Sequence, residues 1–341
     1  MSLVDSVGRQ VTQLRISLTD RCNFRCLYCM PPEGISFLPK SAHLSRDAIV
    51  RFARIACKNG VRHIRLTGGE PLLRPDIVSI VQALSAIPEL DDLALTTNGA
   101  RLAALAEPLK CAGLHRVNVS LDSMDPAHFQ AITLSQAFPQ VMDGIAAAIA
   151  AGLALKINVV VLKGMNDVEI LSFAQFAFEH DVTVRFLEFM PLCGSAWRPE
   201  LVYPVGKIRD LIASHFTLRE EPRGHDAAQR FVLTDGVREG RIGLIGALSE
   251  PFCDSCARIR LSSDGKIRPC LFSNVEFNIK ALLDRDAPDE DIAEAIQDAV
   301  WRKPRGSKYA TDVSSVESST SYLRVYEGEE HHNPLIHSIG G

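Results

Sequence analysis

The stretch LRISLTDRCNFRCLYCM, residues 14–30, decides how the chain is read. Its first five residues alternate apolar and polar, the pattern of a strand with one buried face. A loop carrying Cys22, Cys26 and Cys29 in C-x3-C-x2-C spacing follows at once. A polar, ligand-bearing loop directly behind a strand is where α/β barrels keep their active sites. Three thiolates this close can hold three irons of a 4Fe-4S cube and leave the fourth iron open to an outside ligand. Zinc is the alternative, although it usually takes four protein ligands in paired C-x2-C spacing, and no nearby His or Cys supplies the fourth.

Working outward, further strands are expected at residues 63–67, 93–97, 116–121, 155–162 and 184–189, alternating with amphipathic helices. One helix opens at Ser45 with Asp47 in its first turn, lines a face with Ile49, Phe52, Ala53 and Ala56, and stops at Gly60. A flat Rossmann-like sheet fits the alternation too. The polar and Gly-rich signatures all fall just after strands, which favours an α/β fold of partial TIM type, an incomplete (β/α)6 barrel. After Pro191 the rhythm changes to a Pro- and Gly-rich loop, a helix near residues 205–214 and short β pieces at 231–233 and 241–244. These are expected to form a C-terminal α+β layer closing one end of the barrel. Residues 284–294 read as a solvated helix face and 305–337 as a polar, poorly periodic tail.

Composition narrows the partners. The 341 residues are 46% hydrophobic and 23% charged, ordinary for a chain that buries a sizeable core. A net charge of −4 and a pI near 6.2 give no general attraction to nucleic acid, so a phosphorylated ligand needs locally placed Arg and Lys. The start, MSLVDSVGRQ, does not read as a signal peptide, and the longest apolar run, residues 145–155, is far short of the roughly 20 residues a membrane span needs. A cytoplasmic protein without membrane attachment is expected. Its nine cysteines then suit metal ligation better than disulfides. Cys57 and Cys111 are expected as buried small residues in helices, and Cys193 fits neither cysteine cluster.

A second triplet, Cys253, Cys256 and Cys270, stands in PFCDSCARIRLSSDGKIRPCLF, residues 251–272. A hairpin turning at SSDG brings Cys270 back beside the CDSC loop. A cluster with one free iron and a structural zinc site both remain open here, although a zinc ribbon would normally show a second C-x2-C pair. In LTGGEPLLRPD, residues 66–76, Gly68 and Gly69 let a ligand approach the backbone closely.

C-x3-C-x-Φ-C with Tyr28 as Φ is the signature of the radical S-adenosylmethionine (SAM) superfamily. Two triplets, RIRL within the second, and Gly340-Gly341 at the end resemble the GTP 3′,8-cyclase family of molybdenum cofactor biosynthesis, over nearly the whole chain to about Pro304. The resemblance implies two 4Fe-4S clusters. One, on Cys22, Cys26 and Cys29, cleaves SAM to a 5′-deoxyadenosyl radical; the other, on Cys253, Cys256 and Cys270, binds the guanine of GTP. The radical takes the C3′ hydrogen, and C3′ then attacks C8 to give 3′,8-cyclo-7,8-dihydro-GTP. Tyr28, Gly69, Ser120 and Met190 match SAM-contacting positions. Arg15, Arg65, Thr96, Lys156, Arg258, Ile259 and Arg260 match GTP-contacting ones, with Arg258 and Arg260 also catalytic.

The strand cations alternate with apolar residues, so one face can carry charge inward. By resemblance the Gly-Gly end enters the barrel near substrate, residues 1–195 form the radical SAM domain, and residues 196–341 form the auxiliary-cluster domain. The family also implies an external one-electron reductant, and leaves open a homodimer and hand-over of product to the next molybdopterin enzyme. Ala257 and residues 306–337 depart from its pattern. Competing readings are another radical SAM enzyme that modifies a peptide or cofactor, and a non-catalytic protein with two metal knots.

Overall fold

Short runs with buried apolar residues at alternate positions become six strands: β1 (Gln13–Ser17), β2 (His63–Thr67), β3 (Asp92–Thr97), β4 (Arg116–Ser120), β5 (Ala154–Val161) and β6 (Thr183–Glu188). Each lies within one residue of its expected ends. The computed structural model describes residues 2–31, 34–192, 197–224 and 226–306. Between the strands run α1 (Arg46–Lys58), α2 (Ile77–Ser85), α3 (Leu102–Cys111), α4 (Pro126–Thr133), α5 (Phe138–Ala150) and α6 (Ile170–His180). In α1 the Ser45 hydroxyl accepts the Ala48 N–H at 3.1 Å, and Ile49, Phe52, Ala53 and Ala56 are buried.

The six strands lie side by side in chain order, each parallel to the next. A doubly wound sheet reverses its order near the middle. An unreversed series of right-handed crossovers instead puts every helix on one side, and the other side is left to form an interior. Side chains from five of these strands, Arg15, Arg65, Thr96, Asn158 and Arg185, line a single cavity, so the sheet curls into a trough.

The C-terminal segment joins that same sheet at both edges. After α7 (Val205–Ala213) come β7 (Thr217–Glu220), β8 (Gln229–Thr234) and β9 (Glu239–Ile245), and β9 pairs parallel with β6. Further on, β10 (Arg258–Leu261) pairs parallel with β1, followed by β11 (Lys266–Arg268) and β12 (Phe277–Asn278). The result is a 12-stranded, mostly parallel sheet in the order β12-β11-β10-β1-β2-β3-β4-β5-β6-β9-β8-β7. The C-terminal segment, expected as a layer closing one end of the barrel, extends the barrel's own sheet at both edges. The open edges of β1 and β6 carry unpaired backbone groups, and the C-terminal strands satisfy both. The expected hairpin between β10 and β11 is present, with Gly265 at φ +80° in its turn. Last come α8 (Lys280–Asp284) and α9 (Asp289–Trp301), which pack on α1.

Glu188, at the end of β6, is fully buried and ties the two parts together. Its carboxylate accepts the N–H groups of Val205, Leu248 and Ser249 at 3.0, 2.8 and 3.0 Å, and the Ser249 hydroxyl as well. Glu188→Ala leaves these donors without an acceptor. Since each orphaned group costs about 1–3 kcal/mol, a loss of at least ~3 kcal/mol is expected, read as a lower urea midpoint; an unchanged midpoint would refute the tie.

Cys57 is buried, but Cys111 is exposed at the end of α3, contrary to expectation, because the helix turns that position away from the sheet. Cys193, the polar stretch beyond residue 306 and Gly340-Gly341 lie outside the described residues. Among the described residues no helix is long and apolar enough to cross a membrane.

Candidate active site

The first triplet hangs from the C-terminal end of β1. Cys22, Cys26 and Cys29 line one cavity together with Gly68, Gly69, Thr96, Ser120 and Met190. Their loop is held by its own backbone: the N–H groups of Cys29 and Met30 both reach the Cys26 carbonyl, at 2.9 and 3.0 Å. Gly69 is required by space, because a Cβ there would stand 2.3 Å from the Arg21 carbonyl oxygen. Tyr28 donates its hydroxyl to Asp122 at 2.7 Å, and Asp122 also accepts the Val160 N–H at 2.8 Å.

Burial pushes the Cys22 thiol up to about 11 and those of Cys26 and Cys29 well above the ordinary thiol range. Thiolates here therefore need bound positive charge, which the irons of a cluster supply. Among the described residues no three Cys, His, Asp or Glu side chains converge on a point that would hold a single ion. Three sulfurs on the wall of a glycine-edged recess are the donor set that an iron-sulfur cluster with one open iron would use.

Glu70 was not singled out in the sequence, although it directly follows the glycine pair. It is buried and accepts from Leu72 N, Thr97 Oγ1 and Asn98 N at 2.9, 2.8 and 2.7 Å, so it locks the loop after β2 to the loop after β3. Burial, working against these hydrogen bonds, raises its carboxyl to about 7.

The second triplet lies toward the other end of the strands. Because β10 runs parallel to β1 with Arg258 opposite Gln13, the loop preceding β10 meets the start of β1. Cys253, Cys256 and Cys270 line a cavity with Arg15, Arg65, Arg258, Arg260 and Lys303. Lys303, nearly fully buried, donates to the carbonyls of Arg258 and Pro269 at 2.7 and 2.6 Å and so clamps both arms of the hairpin. Burial raises the Cys256 thiol, but Arg258 and Lys303 outweigh it and bring the group down to about 6. Thr96, Asn158, Leu187 and Met190 line both cavities, which are therefore neighbours sharing a wall.

Between the triplets lies a row of cations. Arg260, Arg15 and Arg65 are register partners on β10, β1 and β2, with strand spacing of about 4.8 Å. Arg15, Arg65 and Lys156 each sit between buried apolar neighbours, as the alternation requires. Burial and mutual repulsion push Arg15 and Arg65 well down, Arg260 to about 9 and Lys156 to about 8. Arginine stays protonated in proteins, so burial first, and repulsion among the cations second, leave charge here that a bound anion would stabilise. Nε of Arg65 and Nη2 of Arg185 are buried without a hydrogen-bond partner.

Sequence reading missed Arg185, though it lies between buried Val184 and Phe186 just as Arg15 lies between Leu14 and Ile16. Gly243, its partner on β9, leaves room for it, since a Cβ there would come within 3.3 Å of the Arg185 Cγ. Ile259 is turned fully into the core, leaving only its backbone for a ligand.

A profile of the radical SAM superfamily matches residues 16–177, and one described as Molybdenum Cofactor Synthesis C matches residues 182–309. A GTP 3′,8-cyclase of Streptomyces coelicolor is 43% identical over 311 residues, spanning 89% of this chain and 91% of that one. The GTP 3′,8-cyclase of Listeria welshimeri is 43% identical over 314 residues, spanning 90% and 92%. Among solved structures, Streptococcus suis SuiB bound to precursor peptide SuiA has a TM-score of 0.63 at 16% identity, over 88% of this chain and 72% of that one, a likeness of fold alone. Identity above two residues in five along nine-tenths of the chain goes far beyond a shared fold, and the chain belongs to the GTP 3′,8-cyclase family of the radical SAM superfamily.

Proposed function

We propose that this protein converts GTP to (8S)-3′,8-cyclo-7,8-dihydroguanosine 5′-triphosphate, the first step of molybdenum cofactor biosynthesis. The observation that carries the reading is the arginine row lining the second of two thiol-lined cavities that share a wall. A triphosphate offers the charge those cations lack, and its nucleoside can extend toward either cavity.

In this reading Cys22, Cys26 and Cys29 hold one 4Fe-4S cluster, and Cys253, Cys256 and Cys270 hold the other. When bound, the first cluster and SAM supply the radical that removes the C3′ hydrogen. The chain's own work is positional. Tyr28, Gly69, Ser120 and Met190 would seat SAM, while Arg15, Arg65, Thr96, Lys156, Arg185, Arg258 and Arg260 would seat GTP. Apolar Leu187, Phe189 and Leu192 on the first cavity's wall would keep water from the reacting carbons. Division of labour near residue 195 follows from where the two triplets fall.

The direct test is anaerobic reconstitution, then SAM, a reductant and GTP, with assay of 5′-deoxyadenosine and the cyclic product; cleavage of SAM without a GTP product would favour a different radical SAM substrate. Arg260→Ala is expected to weaken GTP binding roughly 10- to 100-fold, the worth of a charge-assisted phosphate contact, with iron content unchanged. If lost iron accounts for the whole effect, Arg260 is structural.

A further inference from the structure

Arg185 is 3% exposed, and its Nη2 has no hydrogen bond. Its ion pair is with Asp226, whose Oδ2 stands 3.7 Å away, inside ion-pair range but too far for a hydrogen bond. Asp226 lies on the loop before β8 and lines a third cavity with Arg15, Arg65, Arg116 and Arg230. Arg15 and Arg65 also line the second-triplet cavity, so the two spaces meet at the arginine row. Arg116 and Arg230 have other carboxylates at hand, Asp92 and Glu221. For Arg65, Lys156 and Arg185 alike, the favourable carboxylate charge is that of Asp226. The influence is mutual: Arg185, Lys156 and Arg65, acting against burial, draw the Asp226 carboxyl down to about 2. Asp226 is thus a fixed anion at the edge of a cation site that a polyanion would fill.

We propose that the Asp226 carboxylate is an internal counter-ion of the triphosphate site, partly neutralising Arg185, Arg65 and Lys156 in the free protein and repelling the phosphates that bind them, so that it sets GTP affinity. The inference rests on the reading that the triphosphate meets these cations. Its signature is a dependence on ligand charge, because one carboxylate repels a tetra-anion more than a di-anion and a neutral nucleoside hardly at all.

Asp226→Asn tests it cleanly, since the amide oxygen can still accept the Ala227 N–H, which the carboxylate holds at 2.8 Å. Titration calorimetry under anaerobic conditions on the reconstituted enzyme is expected to give a GTP Kd about 10-fold tighter in the variant. The gain should shrink through GDP and GMP and vanish for guanosine, and high salt should reduce it. Asp226→Ala should show the same grading, whatever it does to stability. An equal change for all four ligands, or tighter binding of none, overturns the counter-ion. Weaker GTP binding only when Mg2+ is present also overturns it and makes Asp226 a metal ligand. Arg65→Ala separates the premise from the inference. If it weakens GTP binding while Asp226→Asn changes nothing, only the counter-ion fails; if it leaves GTP binding intact, the triphosphate lies elsewhere and both fail.

Discussion

Cys26→Ala is expected to reduce 5′-deoxyadenosine formation to background, a loss of at least ~1000-fold, while the protein remains folded. The backbone of the loop explains why the two effects separate. The Cys26 carbonyl, not its sulfur, receives the N–H groups of Cys29 and Met30, and Arg25 N and Leu27 N are held by the carbonyls of Thr133 and Ile132 at 3.0 Å each. Alanine keeps all four bonds and removes only the thiol. Without it two thiols remain for the cluster, so iron bound at this site should fall as well. Circular dichroism and the urea midpoint of the iron-free protein should match the parent. SAM cleavage at the parent rate would eliminate the assignment of the first triplet.

Cys270→Ala should separate the two ends of the molecule. The second triplet reaches its cavity from a hairpin clamped by Lys303 and from the loop before β10, whereas the first depends on loops after β1, β2 and β3. Loss of Cys270 is therefore expected to remove about half of the iron, about four of eight per chain. SAM cleavage in the absence of GTP should persist, and the cyclic product should disappear. Mössbauer or EPR spectra of the variant should keep the signal of the first cluster. Cyclic product at the parent rate would reduce the second triplet to a structural knot.

The contrast between Arg15 and Arg185 marks how far the chain could be read unaided. Alternation in LRIS and in TVRF says that each arginine opposes its apolar neighbours, and it does so equally in both. It does not say that both arginines face the same interior, because that depends on the crossover order that curls the sheet. The family resemblance singles out Arg15, and the sequence reading draws no such match for Arg185. Similarly, the sequence puts Cys57 and Cys111 in helices and predicts both to be buried, which holds for Cys57 and fails for Cys111.

Local chemistry is what the linear chain settles: period-two strands, the Ser45 cap, the SSDG turn and the spacing of each thiol triplet all depend on residues a few positions apart. Non-local pairing belongs to the tertiary structure. Arg260 stands beside Arg15 only because β10 closes on the free edge of β1, and Asp226 reaches Arg185 only because β9 pairs with β6 and holds β8, with the loop before it, alongside. Strand edges accept many backbones of suitable register, since every residue but proline offers the same N–H and C=O groups. Which distant segments meet is therefore decided by packing of the whole sheet, and with it the cation row on which the proposed substrate site depends.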